Sequence, residues 1–88
     1  GLVPRGQGGY WAIEGRTALD GDIAINPSGG LLAKGHPVGA TGIGQIYEVT
    51  LQLRHQHSNQ VQQARLGMTH NLGGAGVACT VTILRGNM

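Results

Sequence analysis

The chain has 88 residues, 17 of them glycine and one of them cysteine, and its formal net charge is +2. A chain this short forms at most one small domain, in which a single cysteine excludes an internal disulfide and a cysteine-rich zinc site. The single cysteine makes a reducing cytoplasm the expected location. The scattered basic residues form no nucleic-acid patch, and no apolar run approaches the roughly 20 residues of a membrane helix, so we expect no membrane span.

The sequence of the first residues is typical of a linker. Residues 2–6 spell a thrombin cleavage site and precede a glycine pair, so we expect residues 1–9 to be a joint and residues 10–88 to form the folded part, a partial domain. Residues 13–16 also spell a factor Xa site, and a natural or an introduced origin fits those letters.

The first predicted element is a short strand at residues 22–26, formed around the apolar residues 23–25. Asn26, Pro27 and the glycines that follow are strong turn signals and end this strand. Residues 31–34 show little periodicity, so no element is predicted there.

A helix is predicted from Thr41 to about Gln56, with Thr41 as a suitable N-cap. Polar side chains recur at offsets of three and four, and apolar side chains occupy the opposite side. The apolar residues are Ile43, Ile46, Tyr47, Val49, Leu51 and Leu53. This apolar side is wider than a narrow stripe, so we expect the helix to be covered from more than one direction.

Two strands complete the predicted order, at residues 65–70 and at residues 77–84, where β-branched residues are frequent. The glycine-rich turn at residues 73–76 makes these two strands an antiparallel pair. The helix between the first two strands implies a right-handed crossover between parallel strands. The predicted fold class is therefore α/β, a β-α-β-β lobe with one central buried helix.

His36 is the first candidate for chemistry, because it lies between Gly35 and Pro37 just before the predicted helix. Proline fixes one backbone angle of this loop. An imidazole titrates near neutral pH and can act as a base or as a hydrogen-bond donor. From spacing alone, an exposed loop histidine without a role is the simpler interpretation.

The order of the motifs resembles that of the thiolase family. Residues 26–42 are similar to its signature, in which an Asn-x-x-Gly-Gly turn leads to Gly-His-Pro and then to a Gly-Ala-Ser/Thr-Gly helix start. Residues 71–76 resemble the closing loop of the family, and the resemblance extends over residues 15–85.

This resemblance implies acyl transfer between coenzyme A thioesters, by Claisen condensation or thiolysis, on a five-layered fold of two similar halves. Coenzyme A thioesters would be substrates, and no cofactor would be bound permanently. His36 would help to deprotonate a nucleophilic cysteine and would donate a hydrogen bond to the thioester oxygen. That cysteine belongs to an N-terminal half that is missing here, so we expect the chain alone to be inactive.

Other residues receive roles through the same resemblance. Gly73 and Gly74 would present a backbone N–H to the acyl oxygen, although a plain β-turn also fits their letters. Asn26, Gly35 and Pro37 would shape the loops of the site.

His70 and Asn71 mark a departure from the family pattern. Degradative and biosynthetic thiolases carry Cys-x-Gly at the closing loop, whereas residues 70–73 are similar to the sterol-carrier-protein type of thiolase and its bacterial and archaeal relatives. A proton-transfer role for His70 is therefore open. A non-catalytic lipid-transfer or scaffold relative of thiolase is the alternative function.

Three further patterns are weaker. Cys79 lies within an alternating apolar strand, so we expect a buried, inert thiol. His55 and His57 are two residues apart and have no third ligand nearby, so we expect no metal site. Residues 39–44 resemble a dinucleotide-binding turn, but no strand directly precedes them and no acidic residue follows Glu48.

The partners that follow are acyl-CoA, coenzyme A and the missing N-terminal thiolase half. Because the predicted helix is apolar around more than half of its circumference, we also expect self-association, and hence a homo-oligomer.

Overall fold

In the computed structural model, which describes residues 1–87, short helices precede one long helix and a β-hairpin. The helices are α1 (Gly8–Ile13), α2 (Gly30–Lys34) and α3 (Thr41–Leu53), and the strands are β1 (Leu66–Gly73) and β2 (Ala78–Arg85). A 3-10 turn at Gly74–Gly76 joins the two strands. The predicted α/β class is confirmed.

The two strands form an antiparallel sheet in which Leu66 lies opposite Arg85 and Gly73 lies opposite Ala78. The connecting turn runs through the left-handed backbone region, with φ of 56° at Gly74 and 93° at Gly76. Glycine adopts this region without the steric penalty that a Cβ atom brings. The predicted antiparallel pair is confirmed, although β1 extends to Gly73 rather than to residue 70.

Helix α3 packs against one face of this hairpin. A Cβ atom at Gly67 would overlap the side chain of Val49, and one at Gly42 would lie 2.8 Å from Nδ2 of Asn71. Both glycines therefore allow the helix and β1 to approach closely. Thr69 on β1 and Leu53 at the end of α3 are buried beside this contact.

The end of α3 is tied to the following loop by the buried side chain of Gln52. Its Nε2 donates to the Asn59 carbonyl and its Oε1 accepts from the Val61 N–H, both at 2.9 Å, while Gln60 Nε2 donates to the Gln52 carbonyl. A buried amide is costly unless it is hydrogen-bonded, and these contacts satisfy it. The loop after α3 is thereby fixed in place.

The opposite face of the hairpin is open. Its exposed apolar side chains are Leu66, Met68, Leu72, Val81 and Ile83. A folded monomer of 9.1 kDa has about 4,900 Å² of accessible surface by the usual size scaling, whereas this chain exposes 6630 Å². We call this uncovered side of the hairpin the open sheet face.

Two predicted features of the lobe are wrong. Residues 22–26 form no strand: the N–H groups of Ile23 and Ile25 donate to the loop carbonyls of Arg16 and Thr17, both at 3.1 Å, and not to a neighbouring strand. Without that strand there is no parallel crossover.

Helix α3 is also not buried, because the two-stranded sheet covers only one of its sides. The side chains of Ile43 and Tyr47 on α3 are 75% and 62% exposed. Within residues 1–87, no helix is both long and apolar enough to cross a membrane.

Candidate active site

The loop that carries His36 lies between two helices. Gly35 ends α2 with φ of 80°, a left-handed value, and its N–H donates to the Leu31 carbonyl at 2.8 Å. A residue with a Cβ atom is strained at this angle, so glycine suits the position. His36 and Pro37 follow directly, and the side chain of His36 is exposed.

The imidazole of His36 is held by the first residue of α3. Nδ1 of His36 lies 2.6 Å from Oγ1 of Thr41, and the same hydroxyl lies 3.2 Å from the Pro37 carbonyl oxygen. Thr41 was predicted as the N-cap, but Ala40 occupies that position and no side chain caps the helix. The Thr41 hydroxyl is engaged by the loop instead.

The turn before α2 is held by contacts to that helix and to the loop after α3. Asn26 has φ of 48°, in the left-handed region that asparagine tolerates better than most residues. Its side chain adjoins Gly30, where a Cβ atom would lie 3.1 Å from Nδ2 of Asn26. The side-chain amide of Asn59 donates to the Pro27 carbonyl, which joins the turn to the loop after α3.

Glu48 of α3 connects three segments around the site. Its Oε1 accepts from Lys34 Nζ at 2.7 Å, and its Oε2 lies 2.6 Å from Nε2 of His57. Burial acts to raise the pKa of Glu48, but hydrogen bonds from Lys34 and His57 and the charge of Lys34 lower it, and so does a hydrogen bond from Ser28. The resulting pKa lies below the ordinary value, so the carboxylate stays ionised and ties α2 and two loops to α3.

The structure separates His70 from Asn71. Asn71 faces α3, with its amide next to Gly42 in the first turn after the His36 loop. Adjacent strand residues point to opposite faces, so the His70 side chain lies on the open sheet face, and only its carbonyl reaches α3, through Gln45 at 3.2 Å. Of these two predicted residues, Asn71 is the one next to the start of α3.

Cys79 is exposed, so the predicted buried and inert thiol is wrong. The strand alternates as expected, but its cysteine side is the side that α3 leaves uncovered. The Sγ atom of Cys79 lies 3.1 Å from Nε2 of His70, which is close enough for a hydrogen bond. The two side chains therefore pair on the open sheet face.

Gly73 and Gly74 lie at the tip of the hairpin, where both are exposed. Gly73 keeps an extended backbone with φ of −114° and ψ of 150°, and the Gly74 carbonyl accepts from the Val77 N–H at 3.1 Å. The backbone of both glycines is therefore exposed at the hairpin tip.

His57 and the glycine turn at residues 39–44 both serve the fold. Nε2 of His57 pairs with Glu48 and Nδ1 accepts from the Asn59 N–H at 2.9 Å, so both ring nitrogens are occupied. No group of three or more His, Cys, Asp or Glu side chains that could hold a metal ion occurs in the part of the chain that the structure describes. A dinucleotide turn needs a strand directly before it, and α2 with its loop precedes residues 39–44 instead.

Sequence reasoning missed two residues that shape the site, Thr41 and Glu48. The signal for Thr41 was its place five residues after His36, at a helix start. No local pattern indicated Glu48, because its partners Lys34 and His57 lie 14 and 9 residues away in the chain.

Comparisons with known proteins point in one direction. A family model described as "Thiolase C-terminal domain-like" matches residues 1–86. Acetyl-CoA acetyltransferase of Methanothermobacter thermautotrophicus is 54% identical over 84 residues, which cover 94% of this chain and 22% of that protein. Sterol carrier protein 2 of Rattus norvegicus is 48% identical over 86 residues, covering 97% of this chain and 16% of that protein.

A third similar protein is the non-specific lipid-transfer protein-like 2 of Caenorhabditis elegans, which is 46% identical over 80 residues. The match covers 88% of this chain and 19% of that protein. The chain thus spans 16% to 22% of the length of these three relatives.

Proposed function

Because the chain belongs to the thiolase C-terminal domain-like family, we propose that it is the C-terminal part of a coenzyme A-dependent acyltransferase. Its substrates would be acyl-CoA thioesters and coenzyme A, joined or cleaved by Claisen condensation or thiolysis. The observation that carries this proposal is the His36 loop, in which the imidazole is exposed and is anchored to the start of α3 through Thr41.

In this proposal His36 acts on a cysteine of the remaining polypeptide. Nε2 of His36 accepts the thiol proton, and the thiolate attacks the thioester carbonyl carbon. The carbonyl oxygen becomes negative and accepts a hydrogen bond from the protonated imidazole. When the C–S bond to coenzyme A breaks, the coenzyme A thiolate takes the proton from Nε2 of His36 and the cysteine keeps the acyl group.

The exposed backbone at Gly73 and Gly74 is the proposed second donor to the same oxygen. A preorganised N–H near a developing oxyanion is a strong catalytic contribution, and removing one such donor typically costs about 10²- to 10³-fold in kcat. Asn26, Gly35 and Pro37 would keep the His36 loop in shape, and no permanently bound cofactor is needed for this chemistry.

We propose that the chain is inactive alone. Its one cysteine, Cys79, pairs with His70 on the sheet face that points away from α3, whereas the His36 loop leads into the start of that helix. The cysteine nucleophile would therefore come from polypeptide outside this chain. The division into a linker at residues 1–9 and a partial lobe at residues 10–88 stays a proposal, and Met88 lies outside the described residues.

The open sheet face is the proposed contact with that remaining polypeptide. The chain as a whole exposes about 1,700 Å² more than a folded monomer of its mass, and the side chains of the open sheet face are part of this excess. Exposed apolar patches larger than a few hundred Å² mark interaction surfaces. In a homo-oligomer of the chain alone, the same face would pair with itself.

Thiol labelling tests this contact, because Cys79 lies within the open sheet face. In the chain alone, diluted until light scattering shows a monomer, we expect a maleimide to label the native thiol at the rate of an exposed cysteine. In an enzyme that contains the remaining polypeptide, labelling should be slow until denaturant is added. Equal labelling rates in both proteins would contradict the proposed contact.

A lipid-transfer or scaffold function is the second candidate. It is favoured by the similarity to sterol carrier protein 2 and to non-specific lipid-transfer protein-like 2, together with the open apolar face. The cytoplasmic location expected from the single cysteine stays a prediction.

A hybrid enzyme separates the two functions. In the Methanothermobacter acetyl-CoA acetyltransferase, this chain would replace the 84 residues that match it. We expect the hybrid to form acetyl-CoA from acetoacetyl-CoA and coenzyme A, and the 88-residue chain to form none. Lipid transfer would be favoured if the hybrid binds a fluorescent fatty acid but transfers no acyl group. Its circular dichroism should match that of the parent enzyme, which shows that the hybrid is folded.

A further inference from the structure

The hydroxyl of Thr41 makes two polar contacts with the His36 loop. It lies 2.6 Å from Nδ1 of His36 and 3.2 Å from the carbonyl oxygen of Pro37. A threonine hydroxyl has one proton to donate and two lone pairs that accept. The direction of each hydrogen bond therefore depends on where that one proton points.

The carbonyl of Pro37 decides the direction, because it can only accept. Thr41 is four residues after Pro37, and a helical threonine characteristically donates to the carbonyl four residues earlier. If the hydroxyl instead pointed at Nδ1, two oxygens would meet at 3.2 Å with no hydrogen between them. The proton of Thr41 thus belongs on the Pro37 side, and a lone pair faces His36.

We propose that Thr41 is a positioning residue that holds neutral His36 in the tautomer with its proton on Nδ1, which leaves Nε2 as the proton acceptor. The proposal rests on the proposed function for its chemical meaning, but not for its geometry. An imidazole free in water favours the other tautomer, with the proton on Nε2. Thr41 would reverse that preference.

The position of Thr41 in the helix supports this role independently. A threonine at a helix start commonly uses its side chain to cap a backbone N–H, but Ala40 is the N-cap and no side-chain cap is formed. The Thr41 hydroxyl therefore takes no part in capping the helix. Its backbone N–H donates to the Pro37 carbonyl at 3.0 Å, which fixes the side chain against the loop.

The consequence concerns the order of proton movements at His36. With Nε2 unprotonated, the ring can take the proton of a cysteine thiol without first changing tautomer. Once protonated, the same Nε2 becomes the donor to the thioester oxygen. Both steps then use one nitrogen, while Nδ1 stays bonded to Thr41.

Nuclear magnetic resonance of the 88-residue chain measures the tautomer directly. With ¹⁵N-labelled histidine above the imidazole titration range, at about pH 8.5, we expect Nδ1 of His36 to show the shift of a protonated ring nitrogen and Nε2 that of an unprotonated one. His57 is an internal standard of the opposite tautomer, because its Nδ1 accepts from the Asn59 N–H. His36→Gln assigns the signals.

Three variants test the part played by Thr41. Thr41→Val removes the hydroxyl and should return His36 to the Nε2-protonated form as the major species. Thr41→Ser should keep the Nδ1-protonated form. Thr50→Val, the same change elsewhere in α3, should leave His36 as it is.

An Nε2-protonated His36 in the unmodified chain would overturn the proposal, and so would an unchanged tautomer in a folded Thr41→Val variant. If Thr41→Val fails to fold, the unmodified chain and Thr41→Ser still decide the question. The spectrum involves no substrate, so it stands apart from the acyltransfer assay. An inactive hybrid enzyme with the expected tautomer would contradict only the proposed function.

Discussion

Nε2 of His57 and Oε2 of Glu48 lie 2.6 Å apart, and the other oxygen of Glu48 accepts from Lys34 at 2.7 Å. One carboxylate on α3 thereby joins the loop after that helix to the helix before the His36 loop. Because the carboxylate must be ionised to accept both hydrogen bonds, the connection depends on pH.

The free energy of unfolding should therefore fall in acid. The fold lowers the pKa of Glu48, so its contribution is complete above the unfolded-state pKa of about 4.3 and is lost as the pH falls through the lower folded-state value. Urea unfolding between about pH 3 and pH 6 measures this slope. Glu48→Gln should flatten it, while Glu14→Gln at an exposed position should not. An unchanged slope in Glu48→Gln would contradict the role of this carboxylate.

The close approach of α3 and β1 gives a test with two glycines. Gly67→Ala should lower the free energy of unfolding by about 1–3 kcal/mol, because the new methyl group overlaps the stiff side chain of Val49. Gly44→Ala lies on α3 with open space around it and should raise stability by up to about 1 kcal/mol.

Adding Val49→Ala to Gly67→Ala should recover part of the loss, which a double-mutant cycle in urea would show. If both glycine variants change stability equally, the helix does not pack on β1 at Gly67.

The open sheet face predicts association of the chain in isolation. Light scattering should show a particle mass that rises with concentration, because apolar side chains on this face pair between copies. Ile83→Lys, at a side chain that is 64% exposed on this face, should shift the chain to the monomer. Ile13→Lys on α1, 85% exposed, is the matched control and should not. A monomer at every concentration for the unmodified chain would exclude this role of the face.

Local patterns in the sequence were sufficient for α3 and the hairpin. The helix begins at Thr41 as predicted, and it ends at Leu53, three residues before the predicted end, because His55 adopts a left-handed φ of 56°. The β-branched alternation and the glycine turn indicated β2 and its antiparallel partner. These elements are stabilised by contacts between neighbours in the chain, which local patterns record.

The errors concern features that depend on distant contacts. Residues 22–26 have the apolar letters of a strand, but a strand needs a partner and only a loop lies beside them. The predicted burial of Cys79 was wrong. Alternating side chains along a strand show that its two faces differ, but they do not show which face a helix covers. No spacing rule in the sequence predicts that Glu48 pairs with Lys34 and His57.

The thiolysis rate of the hybrid enzyme with matched histidine variants tests the role of His36 most directly. His36→Asn should lower kcat by about 10²- to 10⁴-fold, the usual contribution of a general acid–base group. His55→Asn, at an exposed position outside the site whose left-handed backbone asparagine tolerates, should leave kcat unchanged. An active hybrid in which both variants keep the full rate would contradict the assignment of His36.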